Sequence, residues 1–160
     1  MASSQNGWPA SDEPRTIGVE SYLIPGTKIK IRVSKKVAPL LINLCREFHE
    51  RVEPLDEGQL DDWGWAYRAI RGQEDAGNLS NHASGTAVDL NASKHPLGKR
   101  GTFTKAQEKI IREIAGKYLC RWGGDYRKRA DEMHFEIMGS PLDVKAKIEA
   151  LGLADEKAKI

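Results

Sequence analysis

Four imidazoles are available in this chain, at His49, His82, His95 and His134, and two of them have the neighbours a metal site needs. His49 lies in Glu47-Phe48-His49-Glu50 at the end of a helical pattern, where a cation meets the negative end of the helix dipole. His95 precedes Pro96 in a polar loop and is expected at the surface, with no neighbour that supports a substrate role. His82 stands in Ser80-Asn81-His82-Ala83-Ser84-Gly85-Thr86-Ala87-Val88-Asp89. A strand there puts Gly85, Ala87 and Asp89 on one face and Thr86, Val88 and Leu90 on the other. Asp89 then projects over two residues with almost no side chain, which leaves room for an ion beside its carboxylate. On this segment alone, a capping Asp89 and a loop His82 explain the pattern equally well.

The segment Asp131-Glu132-Met133-His134-Phe135-Glu136 tips that balance. Alternation sends Met133, Phe135 and Ile137 to one side, and His134 and Glu136 to the other. If the apolar trio is core, His134 faces a cleft or solvent. Two histidines and a carboxylate form a complete protein ligand set for a catalytic zinc, with the fourth position left for water. Such an ion acidifies the water and polarises a carbonyl. A carboxylate that is near the ion without binding it can move the water proton to a leaving amine. Asp131, three residues before His134, fits that role by position; Glu132 competes for it, but a strand points it the other way.

These side chains need elements to hold them. Residues 28–33 alternate with period two and read as a half-buried strand. Ser34 then caps a helix carrying Val37, Leu40, Leu41, Leu44 and Phe48 to about Val52, its start shifted by Pro39. An acidic connection over 53–62 leads to an extended run over 63–71 with Trp63, Trp65 and Tyr67 on one side, then to a polar loop over 72–81. Thr104-Lys105-Ala106-Gln107 is a capping box that opens a second helix through Ile110, Ile111, Ile114 and Tyr118. Trp122-Gly123-Gly124-Asp125 turns the chain into the 133–137 strand, and Ser140-Pro141 starts a last helix that Gly152 stops. Without a regular βαβ rhythm, this mixture predicts an α+β fold: a small antiparallel sheet with helices packed on it. Residues 1–20 read as a flexible arm and 21–160 as one domain.

Here the resemblance enters. His82-x6-Asp89, with Ser80, Gly85 and Ala87, resembles the S-x-H-x-x-G-x-A-x-D motif, and Asp131-x-x-His134 resembles its partner [ED]-x-x-H. Together they resemble the zinc D-alanyl-D-alanine carboxypeptidase and VanY-type family, grouped structurally with lysostaphin-like peptidases and the hedgehog signalling domain. The contexts around residues 79–91, His95-Pro96-Leu97-Gly98 and Arg121 to Tyr126 are most similar to phage endolysin peptidases that cut L-alanyl-D-glutamate or neighbouring bonds in bacterial peptidoglycan, those of actinobacterial phages above all. The resemblance spans about residues 20–150.

It implies a zinc site on the sheet face, with His82, Asp89 and His134 as ligands and Asp131 as general base. It also implies an arginine steadying the oxyanion in a Tyr-Arg context: Tyr67-Arg68 matches best, with Arg71 second and a surface ion pair as the other reading for either. Ser80 and Arg71 are candidate substrate contacts. Trp122 reads as part of a supporting turn or as a groove wall, and Asp125 as a partner for the free N–H of a ligand histidine. Arg127-Lys128-Arg129 is a solvated turn, or else attracts anionic wall polymers.

Composition narrows the classes. Lys plus Arg is 25 against 23 Asp plus Glu, a net charge of +2, which argues against a dedicated nucleic-acid binder. The apolar stretch Ala38-Pro39-Leu40-Leu41-Ile42 is too short to cross a bilayer. Cys45 and Cys120 make neither a disulfide framework nor a cysteine zinc site. The start of the chain lacks a basic segment followed by an apolar core, so the expectation is synthesis in the cytoplasm without a signal peptide, and action on the wall after the membrane is permeabilised. Taken with the resemblance, these exclusions lead to the expectation of a monomeric zinc peptidase acting on peptidoglycan for host lysis. A cell-wall recycling D,D- or L,D-carboxypeptidase, or a catalytically idle wall-binding module, are the alternatives.

Overall fold

A computed structural model of the chain describes residues 2–55, 60–73 and 78–153. The expected acidic connection and polar loop therefore lie partly outside the described residues. Among those described, three α-helices pack with two small antiparallel sheets, the α+β arrangement expected. The first sheet is a hairpin of β1 (Val19–Leu23) and β2 (Lys30–Ser34), in register from Val19 opposite Ser34 to Leu23 opposite Lys30. The second has the order β3-β5-β4, where β3 is Ala87–Asp89, β4 is Cys120–Trp122 and β5 is His134–Ile137. β1 begins in the region expected to lead in loosely, and β4 falls in a helix exit. β1 pairs with its hairpin neighbour β2, whereas β4 is a three-residue strand whose partner, β5, lies further along the chain.

Helix α1 (Ala38–Arg51) runs through the core. Its Leu40, Leu41, Leu44 and Phe48 are buried, and Pro39 sits in the first turn, where its missing N–H costs nothing. Phe48 meets Phe135 of β5 and Phe103 edge-on, with ring centroids 5.9 and 6.1 Å apart. Helix α2 (Lys105–Lys117) opens on the expected capping box of Thr104 and Gln107. Helix α3 (Pro141–Leu151) opens on a second box, of Ser140 and Asp143, and ends at Gly152.

The 63–71 segment is extended but forms only isolated bridges, Trp63 to Asp89 and Ala69 to Leu79. Trp63 and Tyr67 are exposed, because this strip lies at the edge of β3 and has no layer above it. Residues expected to form a loose arm are instead tied to the motif segment. Asn6 N–H donates to Asn81 Oδ1, its side-chain amide donates to Thr86 Oγ1 and the Ile137 carbonyl, and buried Trp8 donates from Nε1 to the Gly139 carbonyl. Among the polar side chains of this lead-in, those of Ser4 and Asn6 bond to the motif segment, at Ser84 and Thr86. No helix among the described residues is long and apolar enough to cross a membrane.

Candidate metal centre and cleft

The register of the second sheet builds the site. Asp89 is paired directly with His134, and Ala87 with Glu136, so these side chains share one face while Val88, Phe135 and Trp122 take the other into the core. His82 arrives from a 3-10 turn, Asn81–Ser84, whose first N–H groups need a cap. Ser80 supplies it by accepting from His82 N–H, and it also lines the cleft. Gly64 fixes the other side of the ring. A Cβ at Gly64 would lie 2.1 Å from the Arg32 carbonyl oxygen, so only glycine lets this strip approach β2 and offer its own carbonyl to His82 Nδ1, 2.8 Å away.

Three ligand atoms converge. His82 Nε2 and His134 Nδ1 are 3.2 Å apart, and Asp89 Oδ1 lies 3.2 Å from the first and 3.0 Å from the second. A tetrahedral zinc with bonds of about 2.0–2.1 Å requires ligand atoms about 3.3–3.4 Å apart. The donor set, two imidazoles and a carboxylate, suits zinc, and the spacing fits with a few tenths of an ångström of adjustment. The other ring nitrogens are engaged as metal-ligating histidines need: His82 Nδ1 donates to Gly64, and His134 Nε2 donates to Glu136 Oε1 at 2.8 Å. Glu136 in turn accepts from the Tyr126 hydroxyl.

The pocket seeks positive charge. Burial would favour neutral Asp89, but the charge of His82 and a hydrogen bond from His134 hold it well below the usual carboxylate range. Burial would lower His134, yet Asp89 and Glu136 outweigh it and push the imidazole up to about 10. A proton or a metal ion meets the same demand.

Asp131 stands beside this triad. It is the first residue of the turn into β5, in which His134 N–H donates to the Asp131 carbonyl. Gly123 makes the approach feasible, since a Cβ there would lie 2.3 Å from the Asp131 carbonyl oxygen. Asp131 lines the cleft, and its buried Oδ1 has no hydrogen-bond partner. Burial and the negative charge of Asp89 raise its pKa, against the pull of His134, His82 and Arg68. Glu132 points the opposite way and accepts from Gly101 N–H, Thr102 N–H and the Thr102 hydroxyl.

Arg68 and Arg71 both line the cleft, and Arg68 lies in the electrostatic reach of Asp89 and Asp131. Three expectations need correction. Trp122 is no groove wall: it is buried in the core and donates from Nε1 to the Glu132 carbonyl, and its ring closes over Gly124. Asp125 orients neither ligand histidine; it pairs with Arg112 at 3.0 Å while Gly64 and Glu136 hold the rings. Nor is His95 at the surface, being stacked on Phe103 at 3.8 Å between Thr102 and Glu53. His49 accepts from Leu55 N–H, closing the exit of α1. The sequence reading missed Gly64 and Glu136. Only the alternation that places Glu136 beside His134 signalled either of them.

The family model for D-alanyl-D-alanine carboxypeptidase matches residues 74–137 of the chain. That span contains His82, Asp89, Asp131 and His134, and it begins after Arg68 and Arg71. The match supports a peptidase of that family. No curated protein and no solved structure gives a significant match.

Proposed function

We propose that the chain is a zinc-dependent peptidase of bacterial peptidoglycan, of the endolysin kind, hydrolysing an amide bond in the stem peptide or its cross-link. The observation that carries this reading is the convergence of His82 Nε2, Asp89 Oδ1 and His134 Nδ1 within 3.0–3.2 Å of one another, beside the unpartnered carboxylate oxygen of Asp131. These three residues would hold a zinc ion, which would supply a polarised scissile carbonyl and a more acidic water. Asp131 accepts the water proton and delivers it to the departing amine, its Oδ1 having no protein donor to compete. Glu136 and the Gly64 carbonyl keep the two imidazoles in the tautomers that turn a lone pair to the ion. Arg68 steadies the negative charge that builds on the carbonyl oxygen.

Digesting purified peptidoglycan with zinc-loaded protein, and identifying the new termini by mass spectrometry, tests the proposal. The expected result is new termini inside the stem peptide or cross-link, abolished by a chelator and restored by zinc. Intact peptidoglycan under zinc saturation would refute it. The description of the matched family favours a second reading, a carboxypeptidase. Release of single C-terminal residues, with no internal cleavage, would select that one.

A further inference from the structure

His82 is carried by a single 3-10 turn, Asn81–Ser84. The internal bonds of such a short turn are poorly aligned, so partners outside it decide where its residues stand. One side of the turn rests on the 63–71 strip, through the Gly64 carbonyl at the ring and through Ala66 N–H, which donates to the His82 carbonyl at 3.2 Å. The other side rests on residues 4–11. Each of the three turn residues that is not a ligand bonds to that segment. Asn81 Oδ1 accepts from Asn6 N–H at 2.8 Å, the Ala83 carbonyl accepts from Ser11 N–H at 3.3 Å, and the hydroxyls of Ser4 and Ser84 are hydrogen-bonded at 2.8 Å. The segment is seated rather than draped: Ser4, Trp8 and Ala10 are buried. Gln5 N–H donates to the Leu79 carbonyl at 3.1 Å, and Gln5 lines the cleft.

Asn6 also reaches the two strands that bring the other ligands. Its side-chain amide donates to Thr86 Oγ1 at 2.8 Å, one residue before β3, and to the Ile137 carbonyl at 3.0 Å, at the end of β5. Its Oδ1 accepts from the Ser4 hydroxyl at 2.7 Å, which fixes the end of the amide that faces the strands. One residue thus joins the turn that carries His82 to the strands that carry Asp89 and His134. Resting on the zinc-centre reading above, we infer that residues 4–11 position the metal centre, with Asn6 as the positioning residue that sets the place of His82 relative to Asp89 and His134. A site whose ligands come from separate segments binds its ion only as well as those segments hold their spacing. Removing the Asn6 amide therefore weakens metal binding, although Asn6 touches neither the ion's position nor a ligand side chain.

The test compares Asn6→Ala with Trp8→Phe in the full chain. Zinc affinity is read by chelator competition, and ligand geometry by the visible spectrum of the cobalt-substituted protein. Asn6→Ala should bind zinc about tenfold more weakly, the lower end of the loss when a partner of a ligand residue is removed, and its cobalt bands should move. Trp8→Phe gives up only the bond to the Gly139 carbonyl. It should lower the urea midpoint and leave zinc affinity and the cobalt spectrum as in wild type. Wild-type affinity and spectrum in Asn6→Ala overturn the inference. So does an equal loss of affinity in Trp8→Phe, which would trace the effect to general stability. If Asn6→Ala does not fold, Asn6→Asp takes its place, since it keeps the acceptor for Ser4 and lacks the side-chain donors. Failure of both to fold assigns the segment to folding and overturns the inference as well. A wild type that binds no zinc defeats the zinc-centre reading and the inference together. Zinc binding that depends on Asn6, without hydrolysis of the wall, defeats the peptidase reading and leaves the inference standing.

Discussion

Two buried histidine–carboxylate clusters lie among the described residues, and only one of them brings three ligand atoms to a common point. Around His95, each polar atom has a partner of its own: Nδ1 meets Thr102 Oγ1 at 2.6 Å, Nε2 meets Glu53 Oε1 at 2.5 Å, and Glu132 is filled by donors from Gly101 and Thr102. The ring is covered by Phe103. Around His134 the atoms converge instead, and among the described residues His82, Asp89 and His134 are the one group of three so placed. Both clusters join buried imidazole to carboxylate, one histidine in the first and two in the second. What differs is that three lone pairs share one point, with an open cleft beside them. The adjacent carboxylates carry the contrast to a single peptide bond: hydrogen bonds from Thr102 and Gly101 overcome burial and lower the Glu132 pKa, while burial raises that of Asp131.

The sharpest way to break this comparison is to neutralise each of those neighbours. Asp131→Asn should lose roughly two to four orders of magnitude in turnover while keeping its zinc. Glu132→Gln should turn over within a few-fold of wild type. Metal analysis and wall hydrolysis on the two proteins decide it, and an active Asp131→Asn with a dead Glu132→Gln would exchange their roles. Arg68→Ala should lower turnover by about 10²–10³, the usual loss for one donor to a developing oxyanion. Should Arg71→Ala show that loss and Arg68→Ala not, the role belongs to Arg71.

A smaller effect separates Glu136 from Asp125. Glu136→Gln should weaken zinc binding about 10–100-fold in a chelator competition, because His134 loses the carboxylate that fixes its ring. Asp125→Asn should leave zinc affinity unchanged, since its partner is Arg112.

The smallest effect is one of stability. The Glu132 pKa lies below its ordinary value of 4.5, so the carboxylate's contribution is fully present above that pH and is lost as pH falls through the folded value. Urea midpoints of wild type should therefore fall more steeply below pH 4.5 than those of Glu132→Gln, which should already be weaker at neutral pH by about 1–3 kcal/mol. Parallel pH profiles would remove Glu132 from the stabilising network.

The same comparison explains what the sequence made legible. The alternation over 133–137 and the caps at Thr104 and Ser140 are local signals, and each appears as expected. So does the spacing that brings His82, Asp89 and His134 together. The burial of His95 is not local: Phe103, Thr102 and Glu53 reach it from other segments, and its own neighbours, Lys94 and Pro96, look solvated. Trp122 reads as part of a supporting turn or as a groove wall, and its burial selects the first: Gly124 lets the backbone pass close to its ring, while Gly123 makes room for Asp131. Asn6 and Trp8 belong to a polar lead-in whose partners lie at Asn81, Thr86, Ile137 and Gly139. The side chains that converge were readable from type and spacing; backbone carbonyls such as that of Gly64, which meets the His82 ring, leave no mark in side-chain type.

The central claim is that the converging triad holds one zinc on which hydrolysis depends. Zinc bound per chain, measured by elemental analysis after dialysis and set beside peptidoglycan hydrolysis by the same samples, tests it most directly in wild type and His82→Ala. The account predicts about one zinc per chain with activity in wild type, and well under one with hydrolysis lost in a folded His82→Ala. Full zinc occupancy in His82→Ala, or undiminished hydrolysis by metal-free wild type, would contradict it.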